Sequence, residues 1–412
     1  MSADSPLTQG SGPSLIGSTN ACVDDLTTEL LEFRRDLHAH PELSWHEERT
    51  TSLVTKRLGE AGLVTRPLGS TGVLVDIGEN PGPVIGLRAD LDALPVEDLT
   101  PDPWRSSIDG VAHACGHDVH TAGLVGAGLA LQSVAAELPG RVRLIFQPAE
   151  EIMPGGALMS IRAGALEGVS RIFGLHCDPG IDVGHLGLRE GPLTGAADSL
   201  DVRLTGKGGH TSRPHLTEDL TFALGKLVTE LPAVLSRRLD PRAGVSVVWG
   251  LVRSGSAMNV IPAVGRAAGT VRMLDAVAWA DAEHLVRETV SQIVEPYGVT
   301  PEVIYVRGVP PVINDHASTV ALGRAIEAVV GEDGHLSTTQ SLGGEDFAWF
   351  LEHVPGAMAR LGTRTPGGTT YDLHQGDLRV DEGAVTVAAK VLAAAAVEGL
   401  VHAAGGASAQ VS

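Results

Sequence analysis

The stretch Arg141-Val142-Arg143-Leu144-Ile145-Phe146-Gln147-Pro148-Ala149-Glu150-Glu151 alternates arginine with apolar residues, then meets a proline and two carboxylates. The alternation predicts a strand over 141–146, and Pro148, which has no N–H to donate, ends it. Upstream, 119–138 reads as a helix of small residues, and 72–77 and 84–90 read as strands separated by the turn cluster Asn80-Pro81-Gly82-Pro83. Downstream, 172–176 reads as a further short strand. Strands alternating with helices imply an α/β domain with a mainly parallel sheet and helices on both faces. In such sheets ligands bind beyond the carboxyl ends of the strands. Asp90, Glu150, Glu151 and His176 all fall at or just past such ends.

The rest of the chain is built around this core. Residues 25–38 have helical spacing, with Leu26, Leu30, Phe33 and Leu37 on one face, and 47–61 reads as a second helix closed by Gly62. From about Ser199 the pattern changes to strand 200–205, helix 217–238, strands 244–253 and 264–273, helix 277–295 and strand 301–306. That βαββαβ order is ferredoxin-like. Helices resume at 316–330 and from 382 to about 403. The expected layout is a tail over 1–24, a discontinuous domain over 25–197 and 308–405, and an inserted unit over 198–307.

Composition narrows the function. The chain has 412 residues, 43% hydrophobic and 3% aromatic with 51 glycines, so its core is expected to rest on Ala, Val and Leu. A net charge of -20 without a Lys/Arg run disfavours nucleic acid and anionic membrane surfaces. Three cysteines, Cys22, Cys115 and Cys177, fit a reducing, cytoplasmic setting better than a disulfide scaffold. The Ser/Gly/Thr-rich start lacks the pattern of a secretory signal, and with no eighteen uninterrupted apolar residues no spanning helix is expected.

The chemistry is concentrated in His113-Ala114-Cys115-Gly116-His117-Asp118-Val119-His120. In a loop, side chains at i and i+2 point the same way, so Cys115 and His117 can face one metal. A thiolate and an imidazole suit zinc or a similar borderline ion. Glu150-Glu151 offers one carboxylate for metal and one to take a proton from an acidified water. Alone, the first pair reads equally well as a buried thiol and a capping histidine, and the second as an exposed acidic pair; together with His176 they point to a shared metal site. Cys177, next to His176, is expected to face away. Asp90-Leu91-Asp92 either ligates, orients a ligating histidine or stabilises a turn. His210 and Asn259 lie in polar loops of the inserted unit, either as surface residues or as groups carried over a substrate. Glu345 and Asp346 read as favouring a helix start, and His374 as a late ligand candidate. His38, His40 and His46 read as a helix end and loop packed by Pro41 and Trp45.

The motifs His38–Ser44, Arg88–Pro95, His113–Thr121, Phe146–Glu151, Gly208–His210, Asn259–Pro262 and Gly343–Phe347 occur in the order seen in the M20 metallopeptidase family. The chain resembles that family from about residue 29 to 395, and within it the amidohydrolase branch of hippurate and auxin-conjugate hydrolases. The resemblance implies two divalent metal ions, with zinc favoured over manganese, cobalt or nickel, held by Cys115, His117, Glu151, His176 and His374. Cys115 takes the place of a bridging carboxylate in other branches. It further implies Glu150 as general base, Asp92 supporting the ligands from outside, and an inserted unit acting as lid and dimerisation module. His210 and Asn259 then meet the substrate, His210 reaching the partner subunit's site. The sequence departs from the family at Thr211-Ser212-Arg213-Pro214-His215, where many relatives have small apolar residues, so Arg213 is a candidate for altering substrate preference. The expected reaction is amide hydrolysis of an N-acyl amino acid or similar conjugate, with a dipeptidase or carboxypeptidase as the alternative.

Overall fold

The computed structural model describes residues 14–409. Its largest feature is an eight-stranded sheet in the order Thr65–Pro67, Val73–Ile77, Arg141–Gln147, Val84–Asp90, Val169–Asp182, Gly356–Arg364, Leu186–Leu188, His335–Ser337. The four central strands run parallel, and antiparallel pairing occurs toward the edges. Strand residues alternate between two cores. Leu87, Leu144, Phe146, Phe173, Leu175 and Cys177 face one core, and Leu74, Ile145, Ile172 and Met358 face the other. Cys177 therefore points away from His176, as the period of two requires.

The first face is covered by the long helices His117–Ser133, His316–Val330 and Gly383–Ala409, and Leu15–Ala39 packs on the first and last of these. Small residues let them approach closely: a Cβ on Gly123 would lie 2.7 Å from that of Ala388. The second face carries the short helices Ala157–Arg162 and Ala348–Leu351. The Gly383–Ala403 segment is long and apolar enough to cross a membrane by composition, but 72% of its most apolar window is buried inside the fold.

The expected tail is corrected in part. Residues 1–13 lie outside the described residues, but helix begins at Leu15, where the Ser14 hydroxyl accepts the Gly17 N–H at 3.1 Å. Thr19 and Val23 are fully buried, Val23 in the helical core with half-buried Cys22 packed against it, so burial overrides the polar composition of this stretch.

The inserted unit is a four-stranded antiparallel sheet in the order Ser246–Ser254, Val264–Met273, Ala196–Thr205, Thr300–Val309. Helices Leu220–Arg238 and Ala276–Val294 share its core. The chain order of these elements is the expected βαββαβ. The strand Gly356–Arg364, central to the large sheet, is one that the sequence reading does not anticipate.

Candidate metal centre

The site forms where the parallel strands end. After Asp90 the chain turns to Asp92, whose carboxylate accepts the N–H groups of Glu150 and Glu151, both at 3.0 Å, and the Ser44 hydroxyl at 2.6 Å. Glu47, fully buried, accepts the N–H of Ala149 at 2.8 Å. Ala149 has φ 56°, a left-handed conformation that costs a residue with a Cβ about 1 kcal/mol or more. Two carboxylates thus fix the bend that aims Glu150 and Glu151.

Gly116 has φ 85° and a Cβ there would lie 2.7 Å from Cys177 Sγ, so only glycine fits. The turn it makes starts the helix at His117 and brings Cys115 beside that residue. The two side chains converge, as expected for this loop, through the left-handed turn at Gly116.

Each imidazole is oriented by its Nδ1–H. His117 donates to the Asp92 carbonyl at 2.9 Å and His176 to the Cys177 carbonyl at 2.8 Å. When either ring is neutral, its lone pair is then on Nε2. His117 Nε2 is buried without a hydrogen-bond partner, as is Glu151 Oε1. His176 Nε2 lies 3.6 Å from Cys115 Sγ, and His374 Nε2 lies 3.5 Å from Glu151 Oε2. His374 sits in a loop at φ 62°, half-exposed, with its N–H held by the Ala114 carbonyl at 2.7 Å. Ligand atoms within 4.8 Å of one another form the groups Cys115–His117–His176, Cys115–Glu151–His374 and His117–Glu150–Glu151, so Cys115 belongs to two of them. Unpartnered Nε2 and carboxylate oxygen beside a thiol form a donor set that fits a divalent ion of borderline softness.

The electrostatics are those of crowded, buried acids. Burial, Glu345 and Glu151 push the Glu150 carboxyl well above its usual range, and burial with Asp92 pushes Glu151 up to about 7. Burial and Glu151 also push the Cys115 thiol up. Beneath them lies Arg88, itself buried. Its guanidinium donates to Asp90 at 2.6 Å, Asp346 at 2.7 Å and Gln147 at 2.9 Å, and lies 3.1 Å from Glu345. Glu345 and Asp346 are therefore buried partners of Arg88, and the helix after them spans only Ala348–Leu351. Their reading as helix-start acids is corrected. Arg88 itself carried a signal: a cation inside an otherwise apolar strand needs buried partners.

Other histidines stay outside the groups around Cys115. His120 Nε2 accepts the Cys177 N–H at 2.9 Å and its Nδ1–H donates to Asp90 at 2.6 Å, which steadies the His176 strand. His38 is buried against Asp118 at 2.8 Å and Asp98 at 3.3 Å, while His46 and Trp45 are exposed, so Trp45 does not pack that loop as expected.

A cavity of about 400 Å³ opens over Cys115, Glu150, Glu151, His176 and His374. His210, Arg213 and Asn259 are not in its wall. All three are exposed, gathered around the short ladder that pairs Gly209–His210 with Val260–Ile261. The structure brings them together with one another but not with the site of their own chain.

Residues 86–398 match the family model described as Peptidase family M20/M25/M40. The chain is 51% identical over 368 residues to a Rhodococcus jostii protein named glutamate–cysteine ligase 2-3, covering 89% of this chain and 46% of that one. The chain thus spans about half the length of that relative. It is 39% identical over 373 residues to the N-acetylcysteine deacetylase of Bacillus subtilis, covering 90% of this chain and 96% of that one. Among solved structures, a Bacillus subtilis dinuclear metal binding peptidase from the M20 family superposes with TM-score 0.80 at 37% identity, over 92% of this chain and 99% of that one. The match over most of its length and the shared fold place this chain in Peptidase family M20/M25/M40, as a hydrolase of that family.

Proposed function

We propose that the protein hydrolyses the amide bond of N-acyl amino acids or related conjugates at a centre of two divalent metal ions. The observation that carries this reading is that two groups of ligand atoms, Cys115–His117–His176 and Cys115–Glu151–His374, share one thiol beside a further carboxylate, Glu150. Two ions would be held by these five residues, Cys115 being common to both groups of ligand atoms; zinc leads the candidates because thiolate and imidazole both suit it. When bound, such ions polarise the amide carbonyl and acidify water.

The chain's own residues do the rest. Glu150 takes the proton of the attacking water and delivers it to the departing nitrogen, so the C–N bond yields a carboxylic acid and an amine. Asp92 and Glu47 hold the loop that aims Glu150. His210 Nδ1 accepts the Ser212 N–H at 3.1 Å, which leaves the proton of the neutral ring on Nε2, free to donate to the carbonyl oxygen as charge develops there. Its exposure, with that of Arg213 and Asn259, supports the inserted unit serving as lid and homodimer contact, presenting these residues to a partner subunit's site. Three free cysteines are consistent with a cytoplasmic enzyme.

The B. subtilis deacetylase supports the N-acyl substrate class. The solved neighbour is described as a peptidase, which keeps dipeptides as the second reading. Metal-stripped protein with each metal added back, assayed on N-acetyl amino acids, N-benzoyl amino acids and dipeptides, tests this. Metal-restored cleavage of the acyl amino acids at the higher kcat/KM is expected; preference for dipeptides would favour the second reading, and no metal-dependent cleavage would overturn both.

A further inference from the structure

The central strand Gly356–Arg364 sends one cation into the cavity. Its Ala357, Ala359 and Leu361 face the helical core, so Arg360 points to the opposite side. Arg360 is in register with His176 on the neighbouring parallel strand, and such partners lie side by side on one sheet face. Both line the cavity above Cys115 and Glu150.

The guanidinium is poorly matched by its own chain. The Arg360 side chain is only 14% exposed, and its nearest carboxylate is Asp178 at 4.0 Å. Its Nη2 donates to Ser341 Oγ at 2.8 Å and, at the limit of a hydrogen bond, to the Leu193 carbonyl at 3.4 Å. These two contacts aim the group and leave its other N–H donors to a ligand. In a chain of net charge -20, a largely buried arginine without a close ion pair is unusual. A second guanidinium, that of Arg272 from the inserted unit, enters the same cavity wall and donates to the Leu342 carbonyl at 2.7 Å. One carboxylate occupies one guanidinium fork. Two forks from two parts of the chain suit a substrate with two anionic groups.

We infer that Arg360 selects substrates carrying a carboxylate additional to the α-carboxylate, either on the amino acid side chain or on the acyl group. This rests on the amidohydrolase reading above. The occupant is an N-acyl dicarboxylic amino acid or a dicarboxylic acyl conjugate, held with its second acid against Arg360 and its amide over Glu150.

The test compares matched pairs on metal-loaded protein: N-acetylglutamate against N-acetylglutamine, N-acetylaspartate against N-acetylasparagine, and N-succinylalanine against N-butyrylalanine. Wild type is expected to favour the acidic member of at least one pair tenfold or more in kcat/KM, mainly through KM. Arg360→Met is expected to lose that preference while cleaving the neutral member within threefold of wild type, and Arg360→Lys to restore part of it. No preference in any pair, or a preference that survives Arg360→Met, overturns the inference and leaves the amidohydrolase reading standing. Failure to cleave any of these amides overturns that reading instead. Calorimetric binding of N-acetylglutamate against N-acetylglutamine then still decides the role of Arg360, by whether Arg360→Met abolishes the difference.

Discussion

The Ala149 N–H donates to the buried carboxylate of Glu47 at 2.8 Å, and this bond holds Ala149 in the left-handed bend that presents Glu150 and Glu151. Glu47 touches no proposed ligand, yet it sets where two site carboxylates stand. Glu47→Ala should leave the protein folded and lower kcat/KM by about 10–100-fold, the usual effect of losing a partner that orients a metal site. Glu47→Gln, which keeps an accepting oxygen, should recover most of it. Steady-state kinetics with circular dichroism as a folding control measures both.

Arg88 separates stability from chemistry. Arg88→Met would leave Asp90, Glu345 and Asp346 buried without their cation. A loss of about 3–5 kcal/mol is expected in denaturant unfolding. Arg88→Lys should rescue only partly, because a single ammonium cannot serve three carboxylates and Gln147 in the directions of a planar fork.

Gly116 makes a sharper geometric prediction. Gly116→Ala puts a Cβ at φ 85° and 2.7 Å from Cys177 Sγ. The strain alone is about 1–3 kcal/mol. Relief requires moving Cys115 or the start of the His117 helix, so bound metal per chain, measured by elemental analysis, should fall as well.

The His38 cluster gives a pH dependence of stability. Burial and Arg34 oppose the charged ring, but Asp118 and Asp98 outweigh them and raise the His38 pKa, while hydrogen bonds from His38, Ser106 and Thr100 hold Asp98 well below the usual range against its own burial. A raised histidine contributes stability that is full below its unfolded value near 6.5 and lost as pH rises through the folded value. A depressed aspartate contributes stability that is full above about 3.9 and lost as pH falls. The pair therefore stabilises most between about pH 3.9 and 6.5. The stability advantage of wild type over His38→Gln should shrink as pH rises above that window, and equal differences at pH 6 and 9 would contradict it.

Much of this was legible in the sequence. Strand Val84–Asp90, strand Val264–Met273 and helix His316–Val330 have the bounds their periodicity implies. The strand Gly356–Arg364 escaped because Gly, Ala and Met dominate it, residues with weak strand preference whose pairing is set by the neighbouring Val169–Asp182 strand. Glu151 and His176 could be grouped from strand-end placement and Cys115 with His117 from their spacing, whereas Glu47 and Arg360 could not. Their roles arise from contacts between segments far apart in the chain, and local pattern carries no trace of them.

The role of Cys115 can be read from metal content. Cys115→Ala should reduce two bound ions per chain to one or fewer, whereas Cys115→Asp, which restores an anionic ligand that can bridge, should keep both. Chelation should lower the Tm of wild type more than that of Cys115→Ala, since only bound metal contributes stability.

The central claim is that Glu150 moves the proton at a metal centre it does not itself build. The direct measurement is kcat of Glu150→Gln on the best N-acyl amino acid, with metal content determined on the same sample. A full metal complement with kcat lower by about 10²–10⁴-fold is expected. Activity within a few-fold of wild type at full metal content would contradict it.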